Sequence, residues 1–163
     1  ILINIIKILN LNMEKRLNRE IKILSQYNYN DINIDKDNYN NTILTFNIYK
    51  FILSNSYPFK PPDVFINEKN YRNLLCIKEQ HIVNEIKNEI KNDNIQCLCC
   101  TTVLCQQNWN PVKNILYIMN EYKTNRNIIL NIIRKNTYKK LIELLCIEKN
   151  IPIELSTYIS NYL

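Results

Sequence analysis

From Met13 to Tyr27, Leu17, Ile21 and Leu24 recur at helical intervals, while Glu14, Lys15, Arg16, Arg19, Glu20 and Lys22 fall off that face. This spacing predicts an amphipathic helix. The polar stretch from Tyr27 to Asn41, punctuated by Ile32 and Ile34, predicts a short strand between turns. From Thr42 to Leu53 the pattern changes to alternation, with Ile43, Leu44, Phe46, Ile48 and Phe51 giving the period of a half-buried strand. Ser54 to Pro62 holds three of the five prolines and cannot continue a sheet interior. Val64 to Ile66 is a brief strand. Helical periodicity returns from Lys78 to Lys91 through Ile82, Ile86 and Ile90, and again in Val112 to Tyr122 and in Thr124 to Cys146. Ile151 to Leu163 reads as a last helix, with Pro152 tolerated in its first turn. A helix, then antiparallel strands, then helices make an α+β fold.

Composition adds a constraint on turns. The chain has 163 residues, enough for one ordinary domain, and contains no glycine. Asn and Ile together supply about a third of it, a bias that fits an A- and T-rich coding sequence. Asparagine is the best replacement for glycine where φ must be positive, so the turns are expected to rely on it. No internal repeat or boundary divides residues 13–163, which read as one domain. The chain starts without Met and Met13 directly precedes the first good helix, so residues 1–12 read as an extension.

The net charge is +6, but 21 Lys and Arg are interleaved with 15 acids and form no basic block. A solvated mixed-charge surface is expected, with no nucleic-acid partner. No apolar run approaches the roughly 18 residues needed to cross a bilayer, and Asn4, Lys7 and Asn10 interrupt the apolar start, so no signal or membrane segment is expected. Six cysteines lie at 76, 97, 99, 100, 105 and 146, four of them within nine residues. That spacing is unlike a secreted disulfide framework and points to a reducing cytoplasmic or nuclear setting.

Three stretches in order carry a family resemblance. MEKRLNREIKILSQ is a basic amphipathic helix. TFNIYKFILSNSYPFKPPDVFI, from Thr45 to Ile66, joins paired strand to a Tyr-Pro-Phe-x-Pro-Pro turn and a short strand. CLCCTTVLCQQNWNP, from Cys97 to Pro111, places cysteines ahead of a Trp-x-Pro that opens a helix. Together they resemble the ubiquitin-conjugating enzyme family over about residues 13–122, whereas 123–163 form a divergent helical tail. In the turn, Tyr57 and Phe59 give the prolines aromatic surface to pack against, and an X-Pro bond there can be held cis.

The resemblance implies an enzyme whose cysteine accepts ubiquitin, or a ubiquitin-like protein, from an activating enzyme and passes it to a substrate amine. The thioester conserves the energy for the second step, so no cofactor is expected; ATP is used by the activating enzyme. Cys100 lies nine residues before Trp109, and Cys100-Thr-Thr-Val-Leu reproduces the family's cysteine, two residues and a buried aliphatic pair. Cys97 is followed by Leu, as in the family, but lies twelve residues before Trp109. Both remain candidates. In an extended segment Cys99 would face the other way, and Cys76, Cys105 and Cys146 read as small core residues. The family's oxyanion donor is the Asn of a His-Pro-Asn turn. No such turn occurs here, and Asn73 in Tyr71-Arg72-Asn73 stands at about the right distance after Pro62. A plainer role for Asn73 is capping the next helix. A helical insertion, roughly 78–94, then separates it from the cysteines.

The resemblance also implies partner surfaces: Phe59, Pro111 and Val112 toward RING-type ligases, and Lys15 with Arg16 toward the activating enzyme. Phe59 could equally be a core aromatic, and the two basic residues simply solvated. Two other readings use the same residues. Cys97 and Cys100 form a CxxC that Cys105 with Cys76 or His81 could complete as a zinc site, although no second CxxC or paired His is present. An inactive ubiquitin-conjugating-like binding module or scaffold would also explain the missing His-Pro-Asn turn. A redox CxxC lacks its βαβ setting.

Overall fold

Asparagine takes the place of glycine at the reversals of this chain. Asn28, Asn40, Asn47, Asn67 and Asn150 all adopt positive φ, between 46° and 63°, and Glu68 joins them at 66°. The computed structural model describes residues 2–77, 79–90, 98–150 and 152, and side chains from Met13 onward. Within these the fold is α+β, with an N-terminal helix, a five-stranded antiparallel sheet and C-terminal helices. The elements are α1 Leu2–Gln26, β1 Asn33–Lys36, β2 Thr42–Phe46, β3 Tyr49–Leu53, β4 Asp63–Ile66, β5 Lys69–Asn70, α2 Tyr71–Leu74, α3 Gln80–Ile90, α4 Leu98–Thr101 and α5 Ile115–Glu148.

Several boundaries differ from those expected. Residues 2–12 continue α1 instead of preceding it, since nothing in them breaks a helix. The alternating stretch 42–53 is a hairpin, not one strand: Asn47 turns left-handed at φ 49°, and Phe46 pairs with Tyr49 across a two-residue turn. Because that loop holds two residues, the alternation runs through it without a visible break. The two helices expected at 112–122 and 124–146 are one, because Thr124 does not interrupt the hydrogen-bond ladder. The last helix expected, at 151–163, lies outside the described residues apart from Pro152.

The chain divides into two compact units, residues 1–77 with 95–122 and residues 78–94 with 123–163. In the first, strands β1 to β5 form a simple meander in chain order, and cross-strand partners such as Leu44 and Phe51 share one face. That face buries Leu44, Phe46, Phe51, Leu53, Val64 and Ile66, together with Leu24 of α1 and Ile115, Ile118 and Met119 of α5. Burying each such side chain contributes about 1.5–3 kcal/mol. Aromatic rings continue the core: Phe46 stacks on Phe51 at 5.7 Å, and Tyr122 meets Tyr49 and Tyr71 edge-on at 6.0 and 5.5 Å. In the second unit α3 buries Val83 and Ile86, and the distal part of α5 buries Ile132 and Cys146. No described helix is long and apolar enough to cross a membrane.

Candidate functional site

The Tyr57–Pro62 turn is built onto a buried polar network. The Tyr57–Pro58 bond is cis, and Tyr57 is 3% exposed. Its hydroxyl donates to Glu20 Oε1 at 2.6 Å. Glu20 is 1% exposed, although its charge suggested an outward position. Its sequence neighbours explain this: Leu17 and Leu24 stand three before and four after it, so Glu20 lies on the inward ridge of α1. Its carboxylate meets Arg16 Nη2 at 2.7 Å and accepts from the Ile115 backbone N–H at 3.0 Å, satisfying a donor at the start of α5. Arg16 also donates to the Lys113 carbonyl at 2.6 Å and lies 5.7 Å from the Tyr57 ring centroid. Burial, followed by the Glu20 carboxylate, holds the Tyr57 hydroxyl well above its usual pKa.

The two resemblance motifs meet at this turn. The Trp109 indole donates to the Pro58 carbonyl at 2.6 Å, and its ring lies 6.1 Å from that of Tyr57. The short segment after it is held by Asn110, whose side chain accepts from the Val112 N–H at 3.0 Å, and Asn114 then caps α5 by accepting from the Tyr117 N–H at 2.8 Å. Helix therefore begins at Ile115 and not at Val112.

The cysteine segment is anchored from behind. Glu121, on the second turn of α5, accepts from Thr102 Oγ1, from the Val103 N–H at 2.8 Å and from the Tyr71 hydroxyl at 3.2 Å. Val103 and Leu104 are 5% and 1% exposed, so the aliphatic pair behind Cys100 is buried as its spacing predicts. Arg72 donates to the Leu104 carbonyl, and Asn108 Nδ2 donates to the carbonyls of Cys100 and Thr102 at 2.9 and 3.1 Å. The segment is a single helical turn, not an extended strand, so Cys99 and Cys100 do not face opposite ways; their sulfurs are 3.9 Å apart.

The candidate residues separate accordingly. Cys100 is exposed and outside any disulfide, whereas Cys99 is disulfide-bonded, a linkage the reducing-compartment reading did not anticipate. Cys97 lies outside the described residues. Cys76 is exposed and Cys105 half-buried, so of the three cysteines expected in the core Cys146 alone is fully buried there. Asn73 is exposed and lies inside the short helix α2, seven residues before α3, and Asn70 caps α2 by accepting from the Arg72 and Asn73 N–H groups. The hydrogen bond that joins α2 to the cysteine segment is made by Arg72.

Phe59 is 75% exposed and Val112 83% exposed, which removes the alternative of a core role for Phe59; Pro111 is half-buried. A cavity of about 590 Å³ beside the turn brings Phe59 and Lys60 to the same opening as Gln106, from the cysteine segment. Lys15 stays exposed, but Arg16 does not extend a basic face with it: its side chain is 14% exposed and bound inward. Among the described residues no group of three or more His, Cys, Asp or Glu is placed to hold a metal ion.

Glu20, Glu121, Arg72 and Asn108 were missed as site-building residues. For the two acids a signal existed, since each stands three residues after an apolar residue of its helix's inward ridge, Leu17 and Ile118. Arg72 bonds a carbonyl 32 residues on and Asn108 bonds carbonyls eight and six residues back, and neither carries a local pattern. Comparison with family models, curated proteins and solved structures returned no match.

Proposed function

We propose that this protein is a divergent ubiquitin-conjugating enzyme that carries ubiquitin, or a ubiquitin-like protein, on Cys100. The observation that carries the reading is the solvent-exposed Cys100, held ahead of a buried Val103–Leu104 pair and of a Trp109 bonded to Pro58. In the reaction the Cys100 thiolate attacks the modifier's C-terminal carbonyl in its thioester with an activating enzyme. A new C–S bond forms and the activating enzyme's thiolate leaves. A substrate lysine amine then attacks the same carbonyl, and Cys100 departs as thiolate.

Nothing in this cycle requires a cofactor on this chain. Exposed Phe59 and Val112, with Pro111, offer apolar surface to a RING-type ligase, and exposed Lys15 offers charge to the activating enzyme. The cycle suits a reducing cytoplasmic or nuclear compartment, where thiols persist and the Cys99 disulfide would open.

Incubation with activating enzyme, ATP and ubiquitin, read on a non-reducing gel, tests the proposal. The expected product is an adduct that a thiol reagent removes and that Cys100→Ala abolishes. An adduct lost in Cys97→Ala but kept in Cys100→Ala would move the nucleophile to Cys97. Failure to form any adduct would overturn the enzymatic reading. Binding of free ubiquitin in that case would support the inactive module, which the absence of a His-Pro-Asn turn favours.

A further inference from the structure

The distal part of α5 leaves an apolar stripe open. Tyr138, Leu141, Leu144 and Leu145 are 53%, 51%, 56% and 46% exposed. At about 100° per residue, all four fall within roughly 60° of Leu141 around the helix. Ile132 and Cys146, the residues of this stretch that its own unit buries, point to the opposite side. The stripe is therefore not a core face with its packing slightly loosened. It is a second apolar face, and contiguous exposed apolar surface of this kind marks interaction sites.

Its charges identify the occupant. Arg134 and Glu148 lie in the same sector, one seven residues before Leu141 and the other seven after. Around them the earlier half is basic, with Lys135, Lys139 and Lys140, and the later half carries Glu143 and Glu148. The partner Glu148 has here is Lys149 at 3.2 Å, a pair about two-thirds exposed and correspondingly weak. Parallel pairing of two such helices would set Arg134 against Arg134 and Glu148 against Glu148. An antiparallel approach about a twofold axis near Leu141 sets Arg134 of each copy beside Glu148 of the other. It also sets Leu141 against Leu141 and Tyr138 against Leu144, so the face is complementary to itself.

We infer that residues 134–148 of α5 are the interface of an antiparallel homodimer, with Leu141 at its centre and two Arg134–Glu148 pairs at its ends. The 134–148 segment is shorter than the roughly 20–30 residues that each side of a standard interface contributes, so dimerisation is expected to be weak, with a Kd on the order of micromolar.

Sedimentation velocity of the full-length chain across a concentration series is the test. The expected result is a monomer–dimer equilibrium that Leu141→Lys shifts to monomer. Arg134→Glu weakens it by roughly tenfold, and Arg134→Glu combined with Glu148→Arg restores it, because the swap regenerates opposite charges across the axis. A dimer indifferent to Leu141→Lys overturns the inference. So does a wild-type chain that stays monomeric at all concentrations. In that event, a loss of thermal stability in Leu141→Lys would assign the stripe to residues 153–163 of the same chain, and unchanged stability would assign it to a different protein.

Discussion

The Tyr57–Trp109 turn and the cysteine segment lie in the same unit and are each fixed by a glutamate, the buried Glu20 and the half-buried Glu121, yet they are held differently. Glu20 closes the turn from inside: Tyr57, Arg16 and the start of α5 all converge on one carboxylate, and Trp109 seals it against Pro58. Glu121 holds the cysteine segment from one side, through Thr102, Val103 and Tyr71, and leaves Cys100 open to solvent. The first region is a charge pair withdrawn from water. The second is an anchored arm whose far face stays accessible. A thiol that must react with a protein-sized partner needs the second arrangement, and a surface against which it is held benefits from the first.

The largest expected effect comes from uncoupling the pair in the turn. Glu20→Gln keeps the shape of the side chain but leaves the inward-turned Arg16 guanidinium without a counter-charge, which costs about 3–5 kcal/mol of stability. Urea denaturation monitored by Trp109 fluorescence measures it. A loss no greater than that of the exposed control Lys15→Ala, expected within about 0.5 kcal/mol, would show that the network does not clamp the turn.

Legibility in the sequence follows the same division. The α+β order, the short strands β1 and β4 and the buried Val103–Leu104 pair were readable because they rest on local periodicity and short motifs. The meeting of Trp109 with Pro58 was not readable and has no local signature, since 51 residues separate the partners. Glu20 was misread because charge was weighed above position: Leu17, Glu20 and Leu24 follow helical spacing on one face, and a buried partner overrides the preference of a carboxylate for water. Arg16 was misread with it, since its outward assignment ignored the acid four residues on. The hairpin at Asn47 was hidden by the lack of glycine, which removed the usual turn marker. Cys99 and Cys100 were assigned to opposite faces on the premise of an extended segment; one turn of helix removes it.

Next in size is Glu121→Ala, which removes the acceptor from three donors. The expected loss is about 1–3 kcal/mol, smaller than for Glu20 because no buried countercharge is orphaned. Its effect on thioester formation should exceed its effect on stability, since the freed segment carries Cys100. Equal losses of charging in Glu20→Gln and Glu121→Ala, compared at matched folded fraction, would remove the distinction between the two regions.

Alkaline titration sharpens the comparison from the side of the turn. Tyr57 has its pKa raised in the folded chain, whereas in the unfolded chain it releases its proton near 10. Its contribution is therefore intact below about pH 10 and is lost as pH rises further, at up to ~1.4 kcal/mol per pH unit, because the unfolded chain gives up a proton that the folded chain retains. Stability curves between pH 8 and 11 should bend downward in the wild type, and the bend should be reduced in Tyr57→Phe. An identical bend in both would mean that Tyr57 ionises as easily in the fold as outside it.

The smallest effect should fall on Asn108. Its side chain donates to the Cys100 and Thr102 carbonyls from an exposed position, so Asn108→Ala costs about 0.5–1 kcal/mol, and water takes over the freed carbonyls. Global stability should hardly register it. Local opening should, because those two bonds tie the end of α4 to the loop before Trp109, while Glu121 holds residues 102 and 103 alone. Amide hydrogen exchange in Asn108→Ala is expected to speed up around residues 98–104 and to stay unchanged around 55–62. If exchange rises equally in both stretches, the cysteine segment and the turn open as one unit. Thioester formation by Asn108→Ala at full folded population would then report on the turn as much as on the placement of Cys100.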